Sequence, residues 1–276
     1  MIKRIVAIYF SPTGSTKKIA LTAAGELAKK QDLPLLEVDF TVPANRSLNF
    51  DFGPEDFVVA AAPTYAGKLP NKILPDLKDK LRGLKTPAAA LVTFGNRSFD
   101  NSLAELVSVL KEDGFVPLGG AAIVCRHAFT DLLAPGRPAE EDLRQAAEFV
   151  RKCFDRAEDD RFDPESADLR VDGQADAPYY VPKGIDGQPA GFLKAKPLTH
   201  KEKCTDCGIC ARVCPMASIN PGDVTDVPGI CIKCQACIRK CPEGAKYFED
   251  KAFLSHVAML EQNFREPKEN AFYYLR

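Results

Sequence analysis

Cys204-x2-Cys207-x2-Cys210-x3-Cys214-Pro215 is followed by Cys231-x2-Cys234-x2-Cys237-x3-Cys241-Pro242. One word is written twice, and it takes up eight of the chain's 10 cysteines. Thiolate is the soft anionic donor among side chains, and four of them per run suit an iron–sulfur cubane. Two intervening residues let successive sulfurs turn toward one face of such a core. The proline after each fourth cysteine has no N–H to donate and carries the chain away in a turn. Zinc is the poorer match, because a structural zinc site needs only two close cysteines per knuckle. A disulfide framework belongs to small secreted domains, and a chain of 276 residues is not one.

Over about residues 198–248 the double run resembles a bacterial-type two-cluster ferredoxin domain, a small α+β unit. The resemblance implies two 4Fe–4S clusters with crossed ligands. Cys204, Cys207, Cys210 and Cys241 would hold one, and Cys231, Cys234, Cys237 and Cys214 the other. The two remaining cysteines, Cys125 and Cys153, fall in strand-like and helix-like segments and read as small buried hydrophobes.

The rest of the chain is ordinary in composition. It is 45% hydrophobic and 27% charged, with net charge −1, so a nucleic-acid groove or a polybasic membrane surface is not indicated. No stretch reaches the apolar length of a membrane span. The apolar run Ile5–Phe10 is shorter than a signal-peptide core, and reduced thiols suit iron, so a cytoplasmic location is expected.

Residues 1–160 alternate strand-like and helix-like segments. Ile2–Tyr9, Leu33–Asp39, Phe57–Ala62, Ala88–Phe94 and Val116–Val124 read as strands. Ser15–Lys30, Asn71–Leu81 (interrupted by Pro75), Asn101–Asp113 and Ala139–Arg156 read as helices. The crossover Phe40–Asp56 lacks helical periodicity. Such alternation predicts a doubly wound α/β fold with a five-stranded parallel sheet. Residues 161–197 are rich in proline and glycine and read as a linker, whose Tyr179, Tyr180 and Phe192 predict packing against the body. Residues 249–276 read as a helix over Lys251–Phe264 and a tail whose Phe272, Tyr273 and Tyr274 should dock back.

The first strand runs through Ser11-Pro12-Thr13-Gly14-Ser15-Thr16 into a helix. Hydroxyls and a glycine at a strand–helix junction make a cradle for a phosphate, with backbone N–H groups facing the anion. The lysine of the nucleotide-triphosphate loop and the G-x-G-x-x-G fingerprint are both missing. Two more loops, Pro63-Thr64-Tyr65-Ala66-Gly67 and Gly95-Asn96-Arg97-Ser98-Phe99-Asp100, lie at C-terminal strand ends, where open α/β sheets bind ligands. Jointly the three loops resemble the flavodoxin family over about residues 1–157, which implies strand order 2-1-3-4-5 and FMN as cofactor. On that resemblance Ser11, Thr13, Gly14, Ser15 and Thr16 would bind the phosphate. Pro63, Thr64, Tyr65, Ala66 and Gly67 would line one side of the ring, and Gly95, Asn96, Arg97, Phe99 and Asp100 the other.

The whole chain thus resembles flavodoxin–ferredoxin fusion proteins. This implies an electron carrier between FMN and two 4Fe–4S clusters, with redox proteins as partners. An FMN-dependent reductase of a quinone or other small acceptor is the alternative. Flavodoxins and ferredoxins are markedly acidic and this chain is not; Lys68 and Arg97 are expected to place positive charge at the flavin. His127, after the fifth strand, reads as a surface-loop histidine before it reads as a proton donor.

Overall fold

The computed structural model describes residues 1–275. The strands of the main sheet are β1 (Arg4–Tyr9), β2 (Leu35–Asp39), β4 (Asp56–Pro63), β6 (Thr86–Phe94), β7 (Phe115–Val124) and β10 (Ala271–Tyr274). Their spatial order is β10-β7-β6-β4-β1-β2. The first five strands in sequence are parallel and take the 2-1-3-4-5 order of the doubly wound fold. The tail adds a sixth strand, antiparallel to β7, with Phe272 opposite Ala121 and Tyr273 opposite Gly120. The expected five-stranded sheet is therefore extended by the chain's own C-terminus.

Strand alternation sorts the side chains into two cores. Ile5, Ala7 and Tyr9 of β1 face one side with α1 (Ser15–Gln31) and α4 (Glu140–Ala157). Val6 and Ile8 face the other side with α3 (Ser102–Glu112). The α1 face is built of Ala20, Ala23, Ala24 and Ala28 around Ile19 and Leu27, small enough to lie close to the sheet. Cys125 and Cys153 are buried in the α1–α4 core, and burial pushes both thiols far up.

The crossover after β2 is irregular, as its composition predicts. It holds a 3-10 turn at Pro43–Ser47 and a short strand, β3 (Phe50–Phe52), paired with β5 (Leu81–Gly83). The helix predicted over Asn71–Leu81 is shorter, α2 (Leu74–Lys80). Pro75 stands in the first turn of this helix and does not interrupt it, because a first-turn residue needs no intrahelical N–H.

Residues 161–197 are largely irregular but held down. Lys68 Nζ donates to the carbonyls of Ala175 (2.8 Å) and Ala177 (2.9 Å), Tyr179 Oη to Leu69 O (2.7 Å) and Tyr180 N to Ala66 O (2.8 Å). The linker thus crosses the loop that follows β4. The cysteine segment contributes β8 (Leu198–Thr199), α5 (Ile209–Arg212), α6 (Ala236–Arg239) and β9 (Lys246–Tyr247), with β8 antiparallel to β9. The last helix, α7 (Lys251–Asn263), is capped by Asp250, whose carboxylate accepts from Phe253 N at 2.8 Å.

Candidate redox centres

The cysteine segment repeats its backbone as well as its sequence. Asp206 and Lys233, each one residue before the second cysteine of its run, have φ of 50° and 56°. Gly208 and Gln235, one residue after it, have φ of 70° and 66°. Ala217 and Gly244, three residues after each fourth cysteine, have φ of 47° and 57°. Left-handed backbone at a non-glycine residue is uncommon, and its recurrence at matching places marks a strained scaffold held for a purpose. What it does is visible in the amides. Ser218 N donates to Cys214 Sγ and Ala245 N to Cys241 Sγ, both at 3.3 Å, and Lys233 N to Cys231 Sγ at 3.4 Å. Hydrogen bonds to sulfur stabilise negative charge on a thiolate.

Two cavities result. Cys204, Cys207, Cys210 and Cys241 line one. Cys214, Cys231, Cys234 and Cys237 line the other. The fourth cysteine of each run lies with the first three of the other. Four soft donors converging on one space, with amides aimed at their sulfurs, fit a cubane cluster.

The cavities differ in setting. In the first, Cys207 is exposed, Cys204 and Cys241 are half-buried and Cys210 is buried; in the second, Cys214 and Cys231 are half-buried. Cys234 and Cys237 are buried. Burial pushes the Cys231 and Cys234 thiols up and the Cys237 thiol up to about 12. Protons leave such thiols only when a cation replaces them, so metal uptake here releases protons. The second cavity also abuts the sheet domain. Met216 and Ile232, beside its ligands, pack with Tyr65 on the sheet's α3-side core. Burial, then the charges of Cys234 and Cys231, raise the Tyr65 phenol well above its ordinary range. Arg46, nearly buried, ties the seam. Its guanidinium donates to the carbonyls of Phe40 (2.9 Å), Thr41 (3.0 Å) and Pro215 (2.7 Å) and pairs with Asp76 at 2.6 Å. Arg46 has no counterpart in the sequence reading; nothing in an irregular crossover marks one arginine as a latch.

At the strand–helix junction, Gly14 has φ 97°, and helix α1 begins with no side-chain cap. The amides of Thr13, Gly14, Ser15 and Thr16 meet no protein acceptor among the described residues. Unpaired amides at the positive end of a 17-residue helix suit an anion. Ser11 and Thr16 turn inward: Ser11 Oγ accepts from Lys17 N (2.9 Å), and Thr16 Oγ1 lies 2.8 Å from Thr93 Oγ1. The half-buried Thr13 and Ser15 remain to face a ligand.

The two ring loops meet each other. Asn101 N donates to Gly67 O at 2.8 Å, and Thr64 Oγ1 lies 2.6 Å from Ser102 Oγ. Pro63 ends β4, and Tyr65 to Lys68 close a tight turn through Ala66 (φ 47°) and Gly67 (φ 80°). Phe99 packs on Phe94 with centroids 5.6 Å apart, so it serves the core. Asn96 clamps the tail: its Nδ2 donates to Phe264 O (2.6 Å) and Glu266 O (2.9 Å), and its Oδ1 accepts from Lys268 N (3.1 Å). The expected free positive charge is not there. Lys68 pairs with the buried Glu105 at 3.0 Å. Arg97 pairs with Asp100 and stacks on Tyr180, 4.1 Å from the ring centroid.

His127 lies in the loop after β7, half-buried and not free in solvent. Its ring lies so close over Gly95 that a Cβ there would be 2.4 Å from His127 Cδ2. Its Nδ1 accepts from Phe129 N at 3.1 Å. Burial, with smaller repulsion from His256, Arg97 and Arg239, holds its pKa down to about 3. It is a neutral imidazole at neutral pH.

Among known proteins, residues 197–220 match the family described as 4Fe-4S binding domain. An uncharacterized protein of Methanothermobacter thermautotrophicus is 42% identical over 52 residues, which are 18% of this chain and 11% of that protein's length. The chain thus spans about a tenth of that relative. Among solved structures, a flavodoxin from the domain Archaea matches 56% of this chain and 99% of its own at 15% identity and TM-score 0.38. Flavodoxin 2 from Bacillus cereus matches 55% and 98% at 18% identity and TM-score 0.37. The flavodiiron protein from Giardia intestinalis matches 56% and 37% at 16% identity and TM-score 0.36. No helix among the described residues is long and apolar enough to cross a membrane.

Proposed function

We propose that the chain is an electron-transfer iron–sulfur flavoprotein, passing electrons between FMN and two 4Fe–4S clusters. The observation that carries this reading is the pair of four-cysteine cavities, one with an exposed cysteine and the other beside the loops at the C-terminal edge of a doubly wound sheet. Each cubane supplies single electrons, and FMN supplies one or two, when bound.

The chain's own residues do the rest. Thr13, Gly14 and Ser15, with the amide of Thr16, bind the FMN phosphate at the start of α1. The loops 63–67 and 95–100 hold the ring. Cys214, Cys231, Cys234 and Cys237 hold the near cluster, and Cys204, Cys207, Cys210 and Cys241 the far one. Tyr65, Met216 and Ile232 exclude water between the flavin loops and the near cluster, where a dry, short path favours transfer. Arg46 keeps that distance fixed. Exposed Cys207 makes the far cluster the natural place for redox protein partners to dock.

Anaerobic purification with an iron, sulfide and flavin count tests the reading. About eight iron, about eight sulfide and about one FMN per chain are expected, as two cubanes and one flavin require. Zinc in place of iron, or protein without flavin after reconstitution, would refute it.

A further inference from the structure

Each cysteine run is followed, five residues after its last cysteine, by a buried side chain. There the first run has Ile219 and the second Lys246. Both are buried, at 4% and 3% exposure. Ile219 lines the near cavity and Lys246 the far one. At this matching buried position the near cavity has an apolar side chain and the far one a cation.

Lys246 has only neutral protein partners. Its Nζ donates to Thr199 Oγ1 at 2.7 Å, across the β8–β9 pair, and to the carbonyl of Val224. No carboxylate lies within ion-pairing distance among the described residues. A buried ammonium without a counter-ion is costly, so an anion is expected beside it. The far cavity supplies one: a cluster bound by four thiolates is a net anion.

We propose that Lys246 sets the two clusters apart in potential, raising the far cluster above the near one. A reduced cluster carries one more negative charge than an oxidised one, and a fixed positive charge in a low-dielectric wall stabilises the reduced form. On the near side Ile219 brings no charge at this position, and the cation lining that cavity, Lys233, is only half-buried, so solvent screens it more than the buried Lys246. An electron that reaches the near cluster therefore passes on: the near cluster is oxidised by one electron, the far cluster is reduced by one, and no proton need move. The exposure of Cys207 at the far cavity works in the same direction. This inference rests on the proposal of two cubanes.

Redox titration of the anaerobic holoprotein, followed by electron paramagnetic resonance, should resolve two cluster waves. Cys207→Ser, which alters only a far-cluster ligand, should change or remove the wave at higher potential. Lys246→Gln keeps N–H donors but drops the charge, and should move that wave down toward the other. Lys246→Arg keeps the charge and should leave the waves nearly where they were. The inference is overturned if Lys246→Gln binds both clusters with unchanged waves, or if Arg shifts them as far as Gln does. If Lys246→Gln fails to assemble, the Cys207→Ser assignment in the Lys246 background still decides, because a higher wave belonging to the near cluster refutes the proposal. Wild-type protein with iron and sulfide for a single cubane would refute the two-cluster reading itself, which separates that failure from this one.

Discussion

At the scale of the residue, crossed ligation has a direct test. Cys214 stands in the first run but lines the cavity of Cys231, Cys234 and Cys237. Cys214→Ala should therefore damage the near cluster and spare the far one, read as loss of one cluster signal and about half the iron. Loss of the sequence-adjacent cluster would overturn the assignment. His127 yields a second test, with a definite sign. Its folded pKa of about 3 lies below the ordinary 6.5, because burial disfavours the cation. Between those values the unfolded chain binds a proton that the folded chain refuses, so stability falls as pH drops through that window. The contribution should be about 2 kcal/mol between pH 6.5 and about pH 5, with His256, also held down by burial, adding in the same direction. Urea denaturation at several pH values should show this slope, and His127→Gln should flatten it.

At the scale of the element, the tail is part of the sheet and not an appendage. Strand β10 covers the edge of β7, and Asn270 Oδ1 accepts from Val124 N at 2.9 Å while its Nδ2 donates to Asp142 and Gln145. Phe272 and Tyr274 also pack on Phe149, at 5.7 and 5.5 Å between centroids. Truncation after Asn270 should cost about 3–5 kcal/mol in lost aromatic burial and leave an unpaired edge. Denaturation and light scattering would register the loss and the resulting association. The crossover holds the other such element. Arg46→Ala removes a nearly buried guanidinium from three carbonyls and Asp76, and should cost about 2–4 kcal/mol. With clusters and flavin bound, it should also slow electron exchange between them, measured by stopped-flow.

At the scale of the whole molecule, the two halves are stabilised by different means. The sheet has two extensive cores. The cysteine segment has a small one, Cys210, Ile219, Val224, Val227 and Cys237, in which two of the side chains are cavity cysteines. Where so little apolar surface is buried, metal binding supplies folding free energy. Removing iron with a chelator should therefore strip hydrogen-exchange protection from residues 198–248 while the sheet keeps its own. Equal loss in both halves would contradict this.

Much of this was legible in the chain itself. Ala-rich α1, the apolar run of β4 and the doubled cysteine word are local signals, because periodicity and ligand spacing are properties of neighbours in sequence. The strand order followed from the resemblance of the three loops to a known family, not from periodicity. Folding alone decided what depends on distant residues meeting. It brought the Tyr273 strand to β7, and Arg46 to Pro215. It gave Asn96 to the tail and Phe99 to the core, and it matched Lys68 with Glu105, cancelling a charge that looks free in one dimension. The reason is that a side chain's partners are set by packing through space, and a loop or crossover without periodicity does not announce which partner it will find.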